Sequence, residues 1–79
     1  MARDSATIDE REIPEIQSEV GRRIRAIRQD QGVSLTDLAE AAEILPQSLC
    51  RIERKGTPHL PTIIRLARVL RVEAASLIF

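Results

Sequence analysis

Gln47 and Arg51 stand four positions apart in the stretch PQSLCRIERK, residues 46–55, a separation of about one turn if the segment is helical. A carboxamide offers a donor and an acceptor in one plane, and a guanidinium offers parallel N–H groups. Each can therefore make a two-point hydrogen bond to the edge of a base in a major groove, glutamine to adenine and arginine to guanine. The same residue types are common on any solvated helix face, so these two alone leave both meanings open. The other chemistry to weigh is that of Cys50 and His59, the single thiol and the single imidazole of the chain. A nucleophile and base would need an orienting third group and an oxyanion site, and neither is evident, so an enzyme is not expected. Cys50 reads as a small, half-exposed packing residue and His59 as the start of a helix. Arg51 and Arg54 would favour a redox-active thiolate, but no second cysteine exists to resolve an oxidised one. No cofactor and no metal are expected.

Helices must position these side chains. Residues 34–54, SLTDLAEAAEILPQSLCRIER, are apolar at Leu35, Leu38, Ala42, Leu45, Leu49 and Ile52, the spacing of a single amphipathic helix. Pro46 interrupts it. Inside a continuous helix it would forfeit the bond to the Ala42 carbonyl and clash with it, costing about 3 kcal/mol or more, whereas as the first residue of a new helix it costs nothing. Two short helices across a tight turn are therefore expected, with Glu43, Ile44 and Leu45 as the turn and Ile44 and Leu45 tucked beneath both. Ser34 caps the first of the pair, with Asp37 placed to return the hydrogen bond. On a wheel of about 100° per residue, Leu49, Ile52 and Glu53, with Leu45 below them, face inward. Gln47, Arg51 and Arg54 face outward, with Ser48, Cys50 and Lys55 at the margins.

Upstream, Ile13, Ile16, Val20, Ile24 and Ile27 recur at helical spacing from Pro14 to a left-handed cap at Gly32, with Gly21 the one weak position. Downstream, Lys55 to Pro58 reads as a loop. Leu60, Ile63, Ile64, Ala67 and Leu70 form the apolar face of a fourth helix, and Glu73 to Phe79 a short fifth. No strand pattern or internal repeat occurs.

With 79 residues, 43% of them hydrophobic, and Phe79 as the lone aromatic, the chain supports one small aliphatic core. It carries no apolar run long enough for a membrane span and no signal-peptide pattern, and with a single cysteine this favours a cytoplasmic protein. The net charge of zero conceals a split: residues 1–19 hold two arginines against six carboxylates, a net −4, and residues 20–79 hold ten Lys/Arg against six acids, a net +4. Residues 1–12 read as an acidic, disordered tail and 13–79 as the folded domain.

From about Val20 to Phe79 the chain resembles the phage repressor/Cro-like (XRE-type) helix-turn-helix domains of bacterial and phage regulators. The likeness is carried by VGRRIRAIRQDQGVSLTDLAE, by RIER and by TPHLPTIIRLARVL. It implies an all-α, compact five-helix lambda-repressor-like fold whose third helix, 46–54, lies in the major groove of a double-stranded DNA operator. It implies a sequence-specific transcriptional regulator, such as a repressor. Gln47, Ser48 and Arg51 would read bases; Arg54, Lys55, Thr57 and the backbone N–H of Leu35 would hold phosphates. It also implies a buried ion pair between Arg28 and Glu53. Many such proteins carry a sensor domain after this point. The chain departs from the pattern at Leu35, usually Gln; at Glu43, usually Gly; and at Leu45, usually a small polar cap. A non-glycine residue in a left-handed turn costs about 1 kcal/mol, so a wider turn is expected at Glu43. The apolar C-terminus, with Val72, Leu77, Ile78 and Phe79, suggests a homodimer, the alternative being that Leu77 and Phe79 close the bottom of the monomer core. The alternative is a protein-interaction module, an antitoxin or antirepressor type of partner, that uses the same fold without base readout. The acidic tail, the neutral total charge and the three departures at Leu35, Glu43 and Leu45 favour that reading.

Overall fold

The computed structural model describes residues 12–79, so the expectation of a tail over 1–12 lies, except for Glu12, outside the described residues. Five helices follow one another: α1 Ile13–Asp30, α2 Leu35–Ala41, α3 Pro46–Lys55, α4 Leu60–Leu70 and α5 Ala74–Ile78. The described residues contain no strand, and the architecture is the five-helix one implied by the resemblance.

The helix boundaries follow from backbone chemistry. Ser34, in extended conformation, accepts the Asp37 N–H on its Oγ at 3.0 Å and caps α2. Pro46 is the first residue of α3, which settles the break in the long apolar stripe. Three helices end in the same way. After α1 the Gly32 N–H reaches the Gln29 carbonyl and the Val33 N–H that of Arg28, at 3.0 and 3.1 Å. After α2 the Glu43 and Ile44 N–H groups reach Glu40 and Ala39, at 3.1 and 2.9 Å, and after α4 those of Arg71 and Val72 reach Arg68 and Ala67, at 3.2 and 3.0 Å. This paired closure satisfies two orphan carbonyls but needs one left-handed residue each time. That residue is Gly32 at φ 69°, Glu43 at φ 60° and Arg71 at φ 58°. The turn at Glu43 is thus not widened: the tight closure is kept, and a glutamate takes the glycine's conformation.

The core collects Val20 and Ile24 of α1, Leu38 and Ala39 of α2, Leu49 and Ile52 of α3, Ile63, Leu66, Ala67 and Leu70 of α4, Leu77 of α5, and Ala42 from the turn. Burying each of the larger aliphatic side chains contributes about 1.5–3 kcal/mol. α1 serves as the spine. The Gln31 side chain, just past its end, donates to the Leu70 carbonyl at 2.6 Å, and Arg23 to the Leu77 carbonyl at 3.5 Å, so α1 closes the C-terminal ends of α4 and α5.

Four expectations are corrected. Ile13 and Ile16 stay 44% and 39% exposed. The turn after α3 abuts α1 at Gln17, so the apolar period continues beyond the cover it would need. Leu60, at the first position of α4, is half exposed because the burial of that helix begins at Ile63. Leu45 is not tucked under the turn but 65% exposed; Ile44 alone turns inward onto the core. Gly21 is not a weak point but a contact point. A Cβ there would collide with the Ile52 carbonyl oxygen and stand 2.9 Å from that of Glu53, so the hydrogen alone lets α3 lie directly on α1.

Candidate nucleic-acid interface

α3 is clamped to the body on one side and bare on the other. Leu49, Ile52 and Glu53 are buried, whereas Gln47, Ser48, Cys50, Arg51, Arg54 and Lys55 are exposed. The clamp has three parts along α1. The Gly21 backbone meets the Ile52 and Glu53 carbonyls. Gly56, the left-handed residue that ends α3 at φ 79°, lies against the Gln17 backbone so closely that no side chain would fit. In the last turn of α1, Arg28 donates to both oxygens of Glu53, Nε to Oε2 at 2.7 Å and Nη2 to Oε1 at 3.0 Å.

The third donor of that guanidinium, Nη1, bonds the Val33 carbonyl at 3.0 Å, so Arg28 ties the end of α1, the turn after it and α3 together. The two side chains are only 12% and 5% exposed. The hydrogen bond that Glu53 accepts, reinforced by its charge, raises the Arg28 guanidinium above its already high ordinary value and outweighs the burial that lowers it. This explains an acid on the inner face of α3: the residue that looks misplaced on the wheel is the partner of a buried cation.

The outer face brings together Gln47, Ser48 and Arg51 on the first turns of α3, with Arg54 and Lys55 on its last turn, where cations also complement the helix dipole. Thr57 is half-buried just beyond. Its Oγ1 accepts the His59 N–H at 3.1 Å, and its hydroxyl proton is left to donate elsewhere. The side chain of Leu35 packs against the core, but its N–H, in the first turn of α2, has no acceptor within the helix. His59 precedes α4, with Nδ1 at 2.7 Å from Thr62 Oγ1, and Cys50 is exposed on α3. Of the C-terminal apolar residues, Leu77 is completely buried in the monomer core, so it is not part of any subunit contact; Val72 and Ile78 are half-buried, and Phe79 is 90% exposed. Sequence reasoning missed Gly21 and Gly56 as the contacts that set α3 on α1; a glycine facing another helix leaves no periodic signal.

No helix among the described residues is long and apolar enough to cross a membrane. No curated protein sequence matches the chain significantly. Solved structures do. The clp gene regulator ClgR from Corynebacterium glutamicum superposes with a TM-score of 0.74 at 27% identity, over 78% of this chain and 67% of ClgR. SinR, a master regulator for biofilm formation solved in complex with DNA, gives 0.71 at 32% identity, over 76% of this chain and 98% of that one; SinR comes from Bacillus subtilis. The restriction-modification controller protein C.AhdI from Aeromonas hydrophila gives 0.72 at 27% identity, over 77% and 94%. The helix-turn-helix family HTH_3 matches residues 24–77, from the middle of α1 into α5, and the chain belongs to that family.

Proposed function

We propose that this chain is a sequence-specific DNA-binding transcriptional regulator, acting in the cytoplasm, whose α3 enters the major groove. The observation that carries it is the division of α3 into a buried Leu49–Ile52–Glu53 face and an exposed Gln47–Ser48–Arg51–Arg54 face, in a family whose compared members include a regulator solved on DNA. Gln47 and Arg51 make two-point contacts to base edges and Ser48 a single one, while Arg54, Lys55, Thr57 and the Leu35 N–H hold phosphates and set the register. Phe79, together with the half-buried Ile78 and Val72, offers a second copy an apolar contact that would aim two α3 helices at major grooves about 34 Å apart. Neither role calls for catalysis.

Selection of tight binders from random duplexes tests the reading. Arg51→Ala and Gln47→Ala should each weaken the selected duplex by about 1–3 kcal/mol and relax preference at one base pair apiece. Lys55→Ala should weaken all duplexes alike and lower the log–log salt slope by about one. Unchanged discrimination in both base-reading variants refutes α3 as the reader. Sedimentation at micromolar concentration tests the second copy: Phe79→Asp should dissociate a dimer, and a parent that stays monomeric both free and on DNA refutes it. The second reading, a protein-interaction module, draws on the comparison with SinR in the SinR/SinI protein complex, a TM-score of 0.68 at 33% identity over 73% of this chain and 58% of that one. Its signature would be failure to enrich any duplex in a salt-dependent way.

A further inference from the structure

Leu45 is the residue that neither the fold nor the reading above explains. It precedes α3 with an extended backbone, φ −71° and ψ 143°, and its side chain is 65% exposed. The turn does not need it for burial, because Ile44 fills that role. It also forfeits a cap: α2 has a serine hydroxyl on its first-turn N–H groups, whereas α3 has no side-chain cap at all. A leucine in this position thus gives up a hydrogen bond and gains no cover, so in the free protein it is unfavourable on both counts. It is followed by Pro46, also exposed, and stands two residues before Gln47 at the leading end of α3.

We propose that Leu45, with the ring of Pro46 beside it, is a specificity-determining residue that reads the C5-methyl group of a thymine next to the base pair contacted by Gln47. The inference rests on the reading of α3 as the major-groove helix. A helix docked in this way presents its N-terminal residues to the base edges. Along the floor of that groove the edges carry donors and acceptors, and the one apolar feature is the thymine methyl. An aliphatic side chain left 65% exposed gains by covering that methyl and gains less over cytosine, which has only a hydrogen there. Leu45 therefore extends readout past Gln47 by an apolar contact.

The test replaces thymine by uracil, one position at a time, in the tightest duplex recovered by selection, so that the methyl group is removed and every hydrogen bond is kept. Parent affinity should fall about fourfold at one thymine per reading helix, the equivalent of losing one buried methyl-sized group. In Leu45→Ser that difference should vanish, while helical content is retained and Tm is equal to or above the parent's, because serine supplies the absent cap. Leu45→Met, which keeps an apolar surface, should retain the thymine preference. A parent indifferent to every uracil substitution, or a preference that persists unchanged in Leu45→Ser, overturns the role of Leu45 while leaving α3 as the reader through Gln47 and Arg51. Recovery of no duplex at all overturns both.

Discussion

Replacing Glu53 by alanine removes both acceptors of a guanidinium that is 12% exposed and cannot be neutralised, since arginine stays charged at any pH at which the protein is folded. Of the three hydrogen bonds that Arg28 donates, only the one to the Val33 carbonyl survives. Two charge-assisted hydrogen bonds go, worth about 1.5–3 kcal/mol each, and a cation is left in a site that water reaches poorly. Some relief comes as water enters the space of the lost carboxylate, so the expected destabilisation is about 3–5 kcal/mol. Against a typical total of about 5–15 kcal/mol for a domain, that is a large share of the stability. Urea denaturation followed by circular dichroism measures it, with the slope m compared to ensure that the cooperative unit is unchanged. A double replacement, Arg28→Met with Glu53→Leu, should recover a large part of the loss, because it removes the buried charge along with its partner; the part-buried Val33 carbonyl, left without its donor, limits that recovery. Glu53→Ala within about 0.5 kcal/mol of the parent would refute the view that this pair clamps α3 to α1.

Glu43→Gly should stabilise the domain by about 0.5–1 kcal/mol, because a glycine occupies φ 60° without strain, and a fall in Tm would show that the Glu43 side chain has a contact that outweighs it. Gly21→Ala discriminates between two accounts: helix propensity alone predicts a gain of about 1 kcal/mol, whereas the collision with the Ile52 carbonyl predicts a loss of about 1–3 kcal/mol, and thermal denaturation gives the sign. The Arg22 guanidinium, by hydrogen bond and charge, holds the Glu19 carboxyl below its ordinary value of 4.5. The small stability this lends is present above that value and is lost as pH falls through the lowered one. An NMR titration should show the Glu19 midpoint rising toward 4.5 in Arg22→Ala, and equal midpoints would show that the exposed pair does not persist in solution.

Much of this arrangement was legible in the residues because the signals were local. A proline at a first-turn position, a serine followed by an aspartate three residues on, and apolar residues at three- and four-residue intervals gave five helices with bounds within about two residues of those observed. The failures came where burial depends on what the chain brings alongside. Periodicity in α1 runs through Ile13 and Ile16 although the cover stops at Gln17. The wheel put Leu45 inward because it extends the helix backwards across a residue whose backbone is already extended. Leu77 and Phe79 are two residues apart and equally apolar, yet α5 buries the first and leaves the second in solvent. The outward face of α3 was readable from side-chain chemistry, because Gln47, Arg51 and Arg54 lie opposite the buried Leu49, Ile52 and Glu53.

The three attachments of α3 to α1, at Gly21, at Gly56 and through Arg28, bear on the heat of association. A reading helix that must first form or swing into place on its target adds an ordering penalty, and a heat-capacity change larger than its contact area accounts for. Here the helix is already welded along its inner side, so only surface side chains have to lose freedom when a duplex arrives. Calorimetry of the complex should accordingly show no share of the heat-capacity change that comes from folding of α3, whose contribution is set by the apolar area it removes from water.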